Sequence, residues 1–129
     1  MSYTIDRAFK GEAFPEIVER TRVALAAQGF GVLTEIDVRA TMKKKLDVET
    51  GDYLILGACN PAMAHKAMQM EPRIGAMLPC NVIVRATGPG SVEVSAIDPA
   101  ASMQAVDNDA LKAVAGQVRG MLEAAVGAI

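Results

Sequence analysis

Two cysteines, each followed directly by asparagine, are the residues of this sequence best suited to chemistry. Cys59 lies in the segment GACNPAMAHKAM, and Cys80 lies in LPCNV. Asn60 is a favoured N-cap and Pro61 a favoured first helical residue, so Cys59 is expected at a helix N-terminus, just past a strand. Unpaired backbone N–H groups and the helix dipole stabilise a thiolate at such a position. Cys59 is therefore a candidate nucleophile or anion-binding residue.

Cys80, in contrast, is expected to pack inside the core. In the predicted strand CNVIVRA it shares parity with Val82 and Val84, and free cysteine is among the most buried residue types. The two cysteines do not form a CxxC pair. Three alternatives stay open for them: structural cysteines, one reactive or ligand-contacting thiol, or, least favoured, a metal site.

The remaining candidate ligand is the single histidine, His65, about one and a half turns into the predicted helix. One histidine and two cysteines are too few for a closed four-ligand zinc site, so we predict no metal and no cofactor. The sequence contains no GxGxxG, Walker, GxSxG or HExxH motif. The candidate ligand-binding residues are Cys59, Asn60, His65, Cys80 and Asn81.

Length and composition exclude several classes of protein. A chain of 129 residues with 51% apolar and 22% charged residues is expected to form one domain, residues 1–129. A formal charge of −2 argues against binding to nucleic acid. No apolar stretch is long enough for a membrane span, and the first residues, MSYTIDRAFKG, lack the apolar region of a secretory signal, so we expect a cytoplasmic protein with reduced thiols.

The hydrophobic pattern predicts an α+β domain that must position these residues. The element order is β-α-β-β-(short α)-β-β-α, which is typical of a mostly antiparallel sheet with helices packed on one face. Residues 30–38 are expected to alternate without interruption, and residues 39–51 to form a polar connection with at most a short helical turn. Asp107 is the expected cap of the last helix. The predicted strands cover 3–9, 30–38, 52–59, 80–86 and 91–97. The predicted helices cover 14–28 and 61–70, and a long last helix follows Asp107 with an apolar stripe from Leu111 to Ile129.

The last predicted helix carries a seam of small residues opposite its apolar stripe. The seam consists of Ala113, Gly116, Gly120, Ala124 and Gly127. Each interior glycine costs a helix about 1 kcal/mol relative to alanine, so the seam calls for a reason. Close packing against a symmetry mate in a twofold dimer would supply one; small residues tolerated in an alanine-rich helix are the alternative.

The segments QGFGVLTEIDV, LILGACNPAMAHKAM and EPRIGAMLPCNVIVRATGPGSVEVSAIDP together resemble the bacterial domain-of-unknown-function family 302. The resemblance spans about residues 3 to 126. It implies a fold similar to half of the TATA-binding protein and a homodimer, but no activity. The motif residues that it carries over, without assigned chemistry, are Cys59, Asn60, Pro61, Gly75, Pro79, Cys80 and Asn81.

Three functions remain open from the sequence. The first is a small-ligand or sensing module whose site lies near Cys59, Asn60 and Cys80, with methionines that adapt to an anionic or apolar molecule. The second is a thiol-dependent enzyme or redox protein that uses Cys59. The third is a dimeric scaffold in which the motifs serve only turns and caps.

Overall fold

The computed structural model of the protein describes residues 2–129 as an α+β fold. Its strands are β1 (Thr4–Lys10), β2 (Gly31–Asp37), β3 (Tyr53–Cys59), β4 (Cys80–Gly88) and β5 (Ser91–Ile97). Its helices are α1 (Phe14–Ala27), α2 (Val38–Leu46), α3 (Pro61–Met70), α4 (Pro99–Ser102) and α5 (Asp109–Gly127), with a 3₁₀ helix at Pro72–Met77.

The five strands form one antiparallel sheet in the order β1-β5-β4-β3-β2. Strand β4 is central, and β3 and β5 flank it, which agrees with their dense apolar sequences. The last strand, β5, lies between β4 and β1. The first and the last strand of the chain are therefore hydrogen-bonded to each other. The predicted fold class and approximate element order are confirmed.

The core lies between one face of the sheet and the helices α1 and α5. Alternate residues of the central strands, such as Leu56, Val82 and Val94, are fully buried on this face. Ile17 of α1 and Leu122 of α5 are fully buried against them. The apolar residues that recur every two positions in the strands and every three or four positions in the helices therefore pack together in one core layer.

Strand β2 departs from the alternation that the sequence predicts for residues 30–38. Its register shifts between Val32 and Thr34, which leaves Leu33 as the extra residue of a β-bulge. Val32 pairs with buried Ala58, whereas Thr34 pairs with Gly57 on the opposite face. A bulge reverses the parity of every later residue, so the prediction of a single uninterrupted apolar side was wrong.

The segment after β2 forms a helix that the sequence analysis did not predict. Asp37 caps α2 by accepting a hydrogen bond from the Ala40 N–H at 2.9 Å, and Asp47 ends it with a positive φ of 53°. Helix α2 has nine residues and buries none of them. A helix without a buried stripe shows no amphipathic period, and this is why the pattern indicated a polar connection.

Helix α5 begins one residue later than the sequence predicts. Asn108, not Asp107, is the cap: its Oδ1 accepts a hydrogen bond from the Leu111 N–H at 3.0 Å. The Nδ2 of the same side chain donates to the Met70 carbonyl at 3.2 Å, which joins the start of α5 to the end of α3. Asn and Asp cap helices equally well, so the sequence DND could not reveal which residue would be chosen.

Candidate functional site

A cavity lies where the ends of β3 and β4 meet α3 and α5, and we name it the sulfur cavity after the cysteines and methionines that line it. Cys59, Asn60 and Met63 form its wall at the junction of β3 and α3. Leu78, Pro79 and Cys80 form the wall where the chain enters β4. The remaining wall is apolar and comes from other elements, among them Phe30, Met103, Leu111, Val114 and Val118.

Asn60 builds the junction between β3 and α3. Its Oδ1 accepts a hydrogen bond from the Met63 N–H at 3.2 Å, which caps α3 as the sequence predicts. Its amide also lies against Gly29, where an added Cβ would be 3.0 Å from Asn60 Nδ2. Gly29 has a φ of 83°, which an L side chain rarely adopts, so both space and conformation require glycine there.

The two cysteine-containing motifs are held together at Gly57. Gly57 pairs with Asn81 in the β3–β4 ladder and with Thr34 in the β2–β3 ladder. An added Cβ at Gly57 would overlap Thr34 Oγ1 and would lie 2.8 Å from Pro79 Cγ. The glycine of GACNP therefore makes room for the proline of LPCNV, and this contact fixes how the two segments approach each other.

The two thiols lie in different surroundings within the sulfur cavity. Cys80 is only 6% exposed, whereas Cys59 is half-buried, and neither is in a disulfide. Burial, together with the smaller effect of the nearby Cys59 thiol, raises the pKa of the Cys80 thiol from 9.0 to about 11. Cys80 is therefore a neutral thiol at pH 7. Its predicted burial agrees with this position.

The structure separates the other two candidate residues from the cavity. His65 is exposed on α3 and does not line the sulfur cavity. Asn81 follows Cys80 on the strand, so its side chain lies on the opposite face of the sheet, where it lines a shallow depression with Met77 and Ser102. Cys59, Asn60 and Cys80 are brought together; His65 and Asn81 are not.

Several wall residues were not among the candidates from the sequence. Met103, just after α4, and the α5 residues Leu111, Val114 and Val118 line the cavity from a distant part of the chain. Their apolar type and helical spacing mark them as core residues, which they also are. No sequence signal distinguishes an apolar residue that fills the core from one that lines a cavity beside it.

The sulfur cavity is small and almost entirely apolar. The space open to the centre of a water molecule is about 30 Å³, which is enough for one or two waters. Among its wall residues, Asn60 is the single amide, and none is His, Lys, Arg, Asp or Glu. Within residues 2–129, no three His, Cys, Asp or Glu side chains cluster together. The wall offers no acid or base besides the two thiols.

A wider groove lies at the other end of β3, between α2 and the strands. It encloses about 280 Å³ and is lined by Val38, Met42, Asp52 and Arg85, among others. Its charges are already paired: Asp52 with Arg39 at 2.9 Å, and Arg85 with Glu93 at 2.8 Å. The groove is open to solvent and has no unpaired charge to hold a ligand, so the sulfur cavity is the better candidate site.

The fold and the cavity define an α+β domain with paired Asn-flanked cysteines at adjoining strand ends. The family model Domain of unknown function DUF302 matches residues 6–129. The chain belongs to this family, which confirms the resemblance stated from its motifs. No curated protein matches the chain in sequence.

A solved structure shows the same fold. The crystal structure of an uncharacterized conserved protein DUF302 from Bacillus stearothermophilus is similar to this chain with a TM-score of 0.90. The identity is 24%, and the similarity covers 98% of this chain and 98% of that chain. This chain therefore has the same fold as that protein over nearly its whole length. In the described part of the chain, residues 2–129, no helix is long and apolar enough to cross a membrane.

Proposed function

We propose that this protein is a binding module for a small, largely apolar molecule, which it takes up in the sulfur cavity. The observation that carries the proposal is the wall itself: apolar side chains from β3, β4, α3 and α5 converge, with one amide, Asn60, among them. Ligand sites are typically apolar pockets with a few placed polar groups. A ligand of this site would be mostly hydrocarbon and would carry at most one or two polar atoms.

The ligand requires the cavity to widen, and α3 is the wall best able to move. Helix α3 has ten residues and buries only Ala67. Elements with few buried apolar contacts open at low free-energy cost. Met63 of α3 and Met103 after α4 have flexible, unbranched side chains that can repack around a bound molecule. The pocket is therefore narrow but adaptable in size.

The methyl resonances of the methionines test this proposal in solution. Benzene serves as the apolar probe, because cavities lined by aliphatic side chains bind it. In protein labelled with ¹³C at the methionine methyl groups, benzene should shift the signals of Met63 and Met103. The exposed Met68 and Met77 are internal controls and should not shift.

A cavity-filling variant makes the test specific to the site. Ala67 is 5% exposed and lines the sulfur cavity from α3. The substitution Ala67→Leu should fill the space and abolish the benzene-induced shift of Met103. Shifts of Met68 and Met77 equal to those of Met103, or no shift in the wild type, would contradict the proposal. Because wild-type protein gives the main result, the test does not depend on the variant's stability.

A second candidate function is thiol chemistry at Cys59, favoured by one observation. Cys59 is the more exposed of the two thiols and lies directly before the N-terminus of α3. No histidine, carboxylate or amine lines the cavity, so a nucleophilic Cys59 would have to act without a neighbouring base. Reaction with iodoacetamide at pH 7 much faster than that of a free thiol would favour this candidate. A rate at or below that of a free thiol would remove it.

We also propose that the protein is a homodimer that buries the outer face of α5. Gly116 and Gly120 are exposed there, and an added Cβ at either would meet no atom within 4 Å. Contacts within the chain therefore do not explain why two helix-weakening glycines stand on this face. In light scattering, Gly120→Leu should reduce the mass from dimer to monomer, while Lys44→Leu, at an exposed position of α2, should not. An unchanged mass for Gly120→Leu would refute this interface.

The cytoplasm is the compartment that we propose for this domain. Both cysteines are free thiols, and reduced thiols are the normal state in the cytoplasm. Fractionation of cells that express the protein at native level tests the assignment. Recovery in an exported fraction would contradict it.

A further inference from the structure

The face of the sheet that α1 and α5 leave uncovered carries a row of isoleucines. Ile36 on β2 pairs with Ile55 on β3, and Ile55 pairs with Ile83 on β4. Strand alternation turns these side chains away from the core, because neighbouring residues such as Leu56 and Val82 are buried in it. Ile36 is 48% exposed, and Ile55 and Ile83 are half-buried. An antiparallel sheet normally presents polar side chains on its open face, so isoleucine on three adjacent strands indicates a contact surface.

The size of this open face suits a second copy of the chain. Its five strands are mostly seven residues long. At about 4.8 Å between strands and about 3.4 Å per residue, they give a footprint of about 24 Å by 24 Å. Two such footprints amount to about 1,200 Å², the lower limit of a standard protein–protein interface. We propose that two copies pack face to face through this surface, which we call the isoleucine face, in a reversible twofold contact.

The charges of the isoleucine face allow it to meet its own copy. In a twofold contact the same patch meets itself, so a patch with net charge would repel its copy. The charged strand residues of this face are two acids, Asp6 and Glu93, and two bases, Lys10 and Arg85. The acidic residues of β2 lie on the helix side of the sheet. The isoleucine face is therefore neutral, although the whole chain has a formal charge of −2.

The isoleucine face and the outer face of α5 are separate surfaces. Helix α5 packs its buried residues against the opposite side of the sheet, so its outer face points away from the isoleucines. The inference therefore goes beyond the proposed ligand binding and does not depend on the contact through α5. A chain with two separate twofold contacts forms a dimer of dimers. Because the isoleucine contact is at the lower limit of interface size, it forms as the protein concentration rises, whereas dilute protein keeps only the α5 contact.

Sedimentation velocity over a series of protein concentrations tests the inference with the full chain. The wild-type mass should rise from two chains in dilute solution towards four chains. Ile83→Lys should weaken this step by more than about 100-fold, because like charges would face each other in an apolar contact. Ile36→Lys, at the exposed end of the row, should weaken it by at least about tenfold and is less demanding for the fold. Val23→Lys, at an exposed apolar position of α1 on the helix side, is the matched control and should associate as the wild type does.

Two results would overturn the inference. One is a wild-type mass that does not change with protein concentration. The other is association equal to that of the wild type in Ile83→Lys and Ile36→Lys variants whose circular dichroism matches the wild type. Gly120→Leu separates this contact from the one through α5: its mass should rise from one chain to two, because its isoleucine face is intact. A concentration dependence that Gly120→Leu abolishes and Ile83→Lys leaves unchanged would refute the isoleucine contact alone.

Discussion

Replacing Gly57 by alanine places a methyl group where β2, β3 and the segment before β4 leave no room. The new Cβ would overlap Thr34 Oγ1 and would lie 2.8 Å from Pro79 Cγ and 3.4 Å from Thr34 Cβ. Rotation of Thr34 relieves only the contact with its hydroxyl, because its Cβ and the proline ring are fixed by the backbone. Overpacking of this kind costs about 1–3 kcal/mol, and two simultaneous contacts favour the upper end. We therefore expect Gly57→Ala to lower the free energy of unfolding by about 3 kcal/mol.

Gly75→Ala is the matched control for this prediction. Gly75 belongs to the neighbouring motif and has no positive φ, and an added Cβ there meets no atom within 4 Å. Alanine at such a position should be neutral or stabilise by about 0.4–1 kcal/mol, because it reduces the entropy of the unfolded chain. Urea unfolding followed by circular dichroism measures both variants. A Gly57→Ala protein as stable as Gly75→Ala would refute the argument that Gly57 spaces the two cysteine motifs.

Three further predictions concern the thiols and the end of α5. In native protein at pH 7, iodoacetamide should label Cys59 before Cys80, as peptide mass mapping would show; equal rates would contradict the burial of Cys80. The pKa of Cys80 is about 11 in the folded state and 9.0 ordinarily, so the unfolded chain loses this proton first between pH 9 and 11. The stability advantage of the wild type over Cys80→Ala should therefore be constant below pH 9 and fall by about 2–3 kcal/mol towards pH 11. A difference in urea unfolding that does not change with pH would contradict this. The Arg7 guanidinium donates to the carbonyls of Val126, Gly127 and Ile129 at the end of α5. Arg7→Met should therefore lower the free energy of unfolding in urea by about 2 kcal/mol, and a change near zero would refute this capping role.

Much of the fold could be predicted from the sequence because its signals are local. Asn60 and Pro61 mark the start of α3 by capping chemistry alone, and Gly29 marks the end of α1 by its positive φ. The buried face of β4 follows from the parity of Cys80 and Val82. Each of these features depends only on neighbouring residues.

The features that sequence analysis missed depend on contacts or have no periodic signal. Helix α2 buries no residue, so only its two cap residues, Asp37 and Asp47, indicate it in the sequence. The bulge at Leu33 reverses the parity of β2, and no residue type demands a bulge there. The choice of Asn108 over Asp107 as cap follows from its second bond to Met70, which is a tertiary contact.

Only the part of the candidate site's geometry that depends on local signals could be predicted from the sequence. The junction of Cys59 and Asn60 is local and was found. The approach of Cys80 follows from strand pairing, which a motif alone does not specify. The separation of Asn81 follows from strand alternation, and the exposure of His65 from its position on the outer side of α3. The contribution of Met103 arises only when α4 and α5 close over the sheet.

Crystals of the wild-type protein under xenon pressure test the central claim, that the sulfur cavity is the binding site, most directly. Xenon enters apolar cavities that water avoids, and its electron density locates them without any assumption about the natural ligand. We predict a xenon peak in contact with Met63, Met103 and Leu111, next to Cys80. Absence of xenon from this cavity, or xenon bound only in the groove beside α2, would contradict the account.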